Sequence, residues 1–227
     1  MCGRFTLHSQ LNLLLQQFAI DAGPEWAPRY NIAPTQRSLV VRESIEGGRE
    51  LVPLRWGLVP SWAKDPSIGQ RMINARAETL AEKPSFRTAF KRRRCLVPAN
   101  GYYEWERTGQ GKQAHYIRPR SGELLAMAGL WESWHVDQPD AMETFTIITT
   151  DANETTRHIH DRMPVFLQPE HYDLWLDPEF EATPPLQDLL QPAPTDLLQF
   201  HRVSSLVNNP RHESPECITP QGATDPN

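Results

Sequence analysis

The chain has 227 residues, of which 39% are hydrophobic and 22% charged, and its net charge is −5. These values suit one sizeable globular core and exclude a disordered or fibrous chain. No run of about 18 apolar residues occurs, which excludes a helical membrane span.

The start, Met1-Cys2-Gly3-Arg4-Phe5-Thr6, lacks the basic-then-apolar pattern of a secretory signal. The three cysteines, Cys2, Cys95 and Cys217, are far apart, odd in number and without zinc-ligand spacing. They read as free thiols in a reducing cytoplasm. Ser9 followed by Leu11, Leu14, Leu15 and Phe18 predicts an amphipathic helix capped by Ser9. Strands are expected at 38–42 and 51–56, and short helices at 74–82 and 85–92. Further strands are expected at 95–98, 102–106, 114–118, 124–130 and 145–150. Gly109-Gln110-Gly111 and Ser121-Gly122 look like hairpin turns between some of them. A helix entered through Pro169 is expected over 169–176, a Pro-rich connection over 183–194 and a last strand over 200–203, with a frayed tail from Pro220. Strands clustered in the middle without regular βαβ alternation predict a single α+β domain, residues 2–209, followed by a tail over 210–227. Its centre should be a curved, mostly antiparallel, barrel-like sheet with flanking helices.

Charge is spread unevenly: residues 55–120 carry a net +9 and residues 121–227 a net −14. One reading is a positive face that holds a polyanion. The other is that the two segments neutralise each other in the fold. Trp56 and Trp62 lie in the basic segment, where aromatic rings beside Lys and Arg suit single-stranded DNA. Core packing is the better reading for Trp56. Lys91-Arg92-Arg93-Arg94 reads as a solvated helix end.

Cys2 carries the sharpest chemistry. Removal of Met1 would leave an N-terminal 1,2-aminothiol. Its α-amine titrates near about 7.7–8.0, so part of it is neutral at physiological pH, unlike a lysine near about 10.4. A neutral amine attacks an aldehyde to give an imine, and the thiol of the same residue then closes onto the imine carbon as a thiazolidine. Carrying both nucleophiles on one residue gives the second step a high effective molarity. The plain alternative is an ordinary second residue in a frayed terminus. In Gly101-Tyr102-Tyr103-Glu104-Trp105-Glu106, strand alternation puts Glu104 on one face with Tyr102 and Glu106. An apolar neighbourhood would raise its pKa toward acid–base work; a solvated carboxylate face is the alternative. His158-Ile159-His160-Asp161-Arg162-Met163-Pro164 groups His, Asp and Arg ahead of a proline. His160 suits a proton shuttle, while a structural role is the better reading for His158. Asn74 and Arg76 would point the same way on an extended stretch. The patterns Gly-x-Ser-x-Gly, Gly-x-x-x-x-Gly-Lys and His-Glu-x-x-His do not occur. No metal site and no organic cofactor is implied.

These segments, with Asn31-Ile32-Ala33-Pro34-Thr35, Trp56-Gly57-Leu58-Val59-Pro60-Ser61-Trp62 and Asn74-Ala75-Arg76-Ala77-Glu78-Thr79, resemble in order the motifs of the SOS response-associated peptidase family. Its members are also described as abasic-site processing proteins, and the likeness runs from Cys2 to about Asn209. The resemblance implies a thiazolidine between Cys2 and an abasic site in single-stranded DNA, which shields the lesion. By the same match, Asn74 orients Cys2, Glu104 is the acid/base that opens the sugar ring, and His160 is the proton shuttle, also serving reversal. Arg4, Arg76 and Arg162 are implied phosphate contacts, with Trp62 a wedge near the lesion on a loop that varies within the family. Lyase-type chemistry, removal of Met1 by the protein itself and a cytoplasmic, nucleoid-associated monomer without cofactor or membrane complete the expectation. Two rivals stay open: an N-terminal-nucleophile, amidotransferase-like hydrolase, which also begins Met-Cys-Gly, and a non-covalent single-strand binder that leaves no bond after denaturation.

Overall fold

The computed structural model describes residues 2–109 and 111–222; Met1, Gln110 of the expected turn and the last five residues lie outside the described residues. In chain order the elements are β1 (Phe5–Leu7), α1 (Leu11–Phe18), β2 (Arg29–Ile32), β3 (Arg37–Glu43), β4 (Arg49–Trp56) and β5 (Asn74–Arg76). Then follow α2 (Arg87–Arg92), β6 (Arg94–Ala99), β7 (Gly101–Thr108), β8 (Gly111–Pro119), β9 (Leu125–Trp134) and β10 (Met142–Asp151). The last are β11 (Arg162–Pro164), α3 (Tyr172–Leu176), α4 (Thr183–Asp188) and β12 (Leu198–Arg202), with short 3-10 turns between.

Two sheets form, and one closes on itself. β10 pairs in parallel with β4, the ladder continues antiparallel through β3 and β6 to β9, and β9 pairs back onto β10. The result is a closed, mixed five-stranded barrel, a ring without exposed edges. Its strands are buried through their central stretches, such as 38–41 of β3 and 144–150 of β10, and all six residues of β6 are buried. β5 and β11 flank the C-terminal half of β10. The second sheet, ordered β12-β8-β7-β1-β2, is antiparallel. Phe5, Tyr102, Ile117 and Leu198 on its inner face join the barrel core. Its outer face, with Tyr103, Ala114 and Tyr116, is covered by Val203, Val207 and Cys217. This is the α+β, barrel-centred architecture expected from the strand pattern.

Several local expectations change. The stretch 74–82 is not a helix: Asn74–Arg76 is a strand paired with 147–149 of β10, and Ala77–Thr79 a single 3-10 turn. A waiting sheet partner overrides the helix preference of Ala and Glu. Ser9 does not cap α1; its backbone and hydroxyl are taken by the Asn100 side chain at 3.0 and 2.7 Å. Ser121-Gly122 is a crossover between sheets, because β8 and β9 belong to different ones. The connection over 183–194 contains α4, started by prolines in its first turn. In the expected solvated run 91–94, Arg94 is instead 2% exposed, its guanidinium donating to the carbonyls of Phe90, Lys91, Trp175, Asp177 and Phe180.

Candidate active site

The chain start is held by β1. Phe5 and Thr6 pair with Tyr102 and Gly101 of β7, and the Tyr103 N–H donates to the Arg4 carbonyl at 2.9 Å. Extending that register places Cys2 and Gly3 alongside Trp105 and Glu104. Cys2 is fully buried, and its thiol donates to the Arg4 carbonyl at 3.9 Å. Burial, followed by the neighbouring Glu104 carboxyl, pushes the thiol well above its ordinary range, so it rests protonated.

Asn74 reaches Cys2 because β5 docks on β10. Its Nδ2 donates to the Cys2 carbonyl at 2.7 Å, while its Oδ1 is buried with no hydrogen-bond partner among the described residues. An open acceptor therefore lies beside the backbone whose nitrogen becomes the amine once Met1 is gone. Glu104, on β7, is 3% exposed, and burial pushes its carboxyl up to about 7. Tyr102 shares its face and is fully buried; burial, then Glu104 and Cys2, raise its phenol. Cys2, Tyr102 and Glu104 thus occupy one dry neighbourhood in which negative charge on any of them is resisted.

His160 precedes β11. The Arg162 N–H donates to its Nδ1 at 3.0 Å, and Asp161 Oδ1 lies 2.8 Å from the same nitrogen. The neutral ring accepts from the amide, leaving its proton on Nε2; the cationic ring donates to Asp161. Both protonation states therefore have a partner, as a shuttle requires. Burial holds its pKa below the ordinary 6.5, so the neutral ring prevails at neutral pH. Asp161 in turn acts on Glu104, which joins the two groups electrostatically.

The implied DNA contacts fall into two kinds. Arg162 is 9% exposed and engaged within the protein: bidentate to Glu78 at 2.8 and 3.0 Å, to Asp151 at 2.7 Å and to the Thr149 carbonyl at 2.6 Å. Arg4 is half-buried, donating to Asn31 Oδ1 and to the Val207 carbonyl, both at 2.7 Å. Arg76 is exposed and lines a groove of about 580 Å³ together with Trp105, Arg107, Arg157, His158 and His160. Among the described residues no ion pair ties Arg76, Arg107 or Arg157. Trp62 is 59% exposed and does not line this groove. Trp56 is core, and His158 packs its ring on Phe200 with centroids 5.1 Å apart. The basic segment is partly neutralised, through Arg92–Glu181 and Arg93–Glu132, and partly free at the groove. Sequence reading singled out neither Arg107 nor Arg157. Arg107 lies two residues beyond the Tyr-Tyr-Glu-Trp run and one beyond Glu106, on a strand whose alternation could have placed it. Among the described residues no group of three or more His, Cys, Asp and Glu is arranged to hold a metal ion.

The family model described as SOS response associated peptidase matches residues 1–210. An abasic site processing protein of Bacillus subtilis, YoqW, is 47% identical over 222 residues, covering 96% of this chain and 99% of its own. The abasic site processing protein HMCES of Gallus gallus is 36% identical over 234 residues, covering 87% of this chain and 69% of its own. A crystal structure of a Bacteroides thetaiotaomicron protein superposes with a TM-score of 0.86 at 27% identity, covering 96% of this chain and 99% of that one. A phage-related protein of Bordetella bronchiseptica gives a TM-score of 0.74 at 29% identity, covering 89% and 94%.

Proposed function

Because the chain belongs to the SOS response associated peptidase family, we propose that it captures abasic sites in single-stranded DNA as a covalent thiazolidine through Cys2. The observation that carries the reading is Cys2 itself: second in the chain, its carbonyl held by Asn74, beside a buried carboxyl poised at about 7.

The chemistry follows from those groups. Loss of Met1, by this protein or by an aminopeptidase, frees the Cys2 amine. Glu104, half-protonated near neutrality, transfers the proton that opens the sugar hemiacetal to its aldehyde. The amine adds to the aldehyde carbon, water leaves, and an imine forms. The Cys2 sulfur then bonds to that carbon while the thiol proton passes to the nitrogen, with His160 as the relay. An imine left open is an electron sink that promotes loss of the 3′ phosphate; ring closure removes the sink and preserves the strand.

DNA approaches along the groove of Arg76, Arg107 and Arg157, where unpaired guanidinium groups meet phosphates and Trp105 offers an aromatic face. Arg162, tied to Glu78 and Asp151, shapes that wall more than it contacts phosphate. Trp62 wedges from its exposed loop. Duplex lesions react less, since a stacked helix must open before the sugar reaches a buried nucleophile.

The test is a denaturing gel of the protein with abasic and intact single strands, followed by the intact mass of the product. The parent should give a heat-stable adduct of protein plus strand minus one water with the abasic strand alone. Cys2→Ala and Cys2→Ser should give no heat-stable adduct, only a reversible imine that borohydride traps. A heat-stable adduct from Cys2→Ala removes the scheme.

A further inference from the structure

Residues 2–4 precede a strand of only three residues, whose register against β2 shifts between Phe5 and Leu7. The backbone holds this arm at two places, the carbonyls of Cys2 and Arg4. Its lateral anchor is a side chain: Arg4, bonded to Asn31 on β2 and to Val207 in the 3-10 turn Ser205–Asn208. That anchor is itself built. Asn31 is fully buried, and its Nδ2 donates to the carbonyls of Val207, Asn209 and His212 at 3.2, 3.1 and 2.8 Å. The Glu213 carboxylate accepts from the backbone N–H groups of Tyr30 and Asn31 and pairs with Arg29 at 2.8 Å. On the same side, Asn208 accepts from the Trp105 indole at 2.7 Å, and the Arg4 guanidinium lies 5.8 Å from that ring.

From this we infer that the segment around residues 204–213 is a clamp on the N-terminal arm, with Asn31 and Glu213 as positioning residues. They fix Arg4, and Arg4 fixes where the Cys2 amine and thiol stand relative to Glu104 and Asn74. The inference rests on the proposed reaction of Cys2 and gives Arg4 a role other than phosphate contact. Its Nη1 donates to two acceptors at 2.7 Å, which holds the side chain between Asn31 and the Val207 carbonyl. Misplacing a nucleophile by about 1 Å costs on the order of 100-fold in rate, so loosening the clamp should slow bond formation without weakening DNA binding.

The experiment compares Arg4→Met, Glu213→Gln and their double variant with the parent, as full chains whose N-terminus is checked by mass. Three quantities are read: the single-turnover rate of adduct formation at saturating abasic strand, the affinity and salt slope for the intact strand, and the thermal midpoint. Each single variant should lose at least about tenfold in saturated rate, with intact-strand affinity and salt slope unchanged. The double variant should be no slower than Arg4→Met, because both changes cut one chain of contacts. If Arg4→Met keeps the parent rate but weakens affinity and flattens the salt slope, Arg4 is a phosphate contact and the clamp is wrong. Additive losses overturn it too. Should Glu213→Gln melt below the assay temperature, Arg4→Met alone decides: a parent-like rate overturns the proposal. A parent that forms no adduct sinks the proposed function itself; a reactive parent matched by its variants sinks only the clamp.

Discussion

Replacing Glu104 by Gln asks whether the site is maintained against the stability of the fold. The carboxyl is 3% exposed, and burial lifts it from the ordinary 4.5 to about 7. One pH unit of displacement corresponds to about 1.4 kcal/mol, so keeping Glu104 ionised costs the folded chain about 3 kcal/mol. The folded value lies above the unfolded one, so folding favours the protonated form. Below about pH 4 both states hold the proton and the cost vanishes; it grows from about pH 4.5 and is complete above about pH 8. Gln retains an oxygen for the Trp105 N–H and carries no charge. The variant should therefore unfold with about 2–3 kcal/mol more free energy than the parent at about pH 8, and with no difference near about pH 4.5. Urea titrations followed by tryptophan fluorescence across that range, on proteins matched at the N-terminus by mass, measure the gap. The same variant should lose about 100-fold or more in adduct formation, the usual worth of a positioned acid–base. A variant no more stable than the parent at about pH 8, or a gap independent of pH, would falsify the argument that burial sets the Glu104 pKa.

The rate of adduct formation should be bell-shaped in pH. The reactive form pairs a neutral Cys2 amine, ordinarily about 7.7–8.0, with a protonated Glu104 at about 7; because the base has the higher value, the acid-side break falls at about 7 and the alkaline-side break at about 7.7–8.0. A single-turnover rate that climbs steadily to about pH 9 would remove Glu104 as the acid. Arg94→Met should destabilise the chain by about 3–5 kcal/mol, because five carbonyls lose a buried donor. Adduct formation by the protein that remains folded should be unaltered, and a selective loss of activity would tie Arg94 to the site. Gly101→Ala should cost about 2–3 kcal/mol in denaturant titrations, since a Cβ would lie 2.6 Å from both the Ile117 carbonyl and the Tyr116 ring. An unchanged midpoint would show that β7 and β8 separate easily there.

What could be read from the chain, and what could not, divides along the range of the interactions. Strands with an unbroken apolar run, such as 39–41 of β3, 51–54 of β4, 95–99 of β6 and 125–131 of β9, announce themselves by it. β1, β2, β5 and β11 have three or four residues each. They exist through their partners, so no local pattern marks them. The closure of the ring through β9 and β10 is a pairing between strand edges and leaves no signature in either strand. Among the site residues, Cys2, Asn74, Glu104 and His160 stand in motifs that can be recognised in order. Asn31 sits in such a motif, but its work depends on carbonyls at 207, 209 and 212, which no spacing could reveal. Arg162 illustrates the reverse: its motif is legible, yet its charge is taken by Glu78 and Asp151, a pairing that only the fold displays.

The chamber around Cys2 also explains why an N-terminal residue suits this chemistry better than a lysine. Burial raises the thiol, the Glu104 carboxyl and the Tyr102 phenol together; Glu104 adds to the rise at Cys2 and at Tyr102, and Cys2 to that at Tyr102. Such a site stabilises one positive charge at close range and resists a second negative one. The freed α-amine supplies that charge as an ammonium, and the iminium formed later carries it at nearly the same point. A carboxylate fixed beside it stabilises the charge as it develops, with no solvent reorganisation at the moment of reaction. Because its pKa is intrinsically near neutrality, the amine can be neutral for attack without being forced into apolar surroundings, as a lysine would have to be. The dry pocket is then free to serve the thiol, which must stay protonated until the imine carbon is in reach. If a lysine introduced at position 2 behind a retained Met1 captured the aldehyde as fast as Cys2 does, this division of labour between amine and thiol would be unnecessary and the buried setting of the site unexplained.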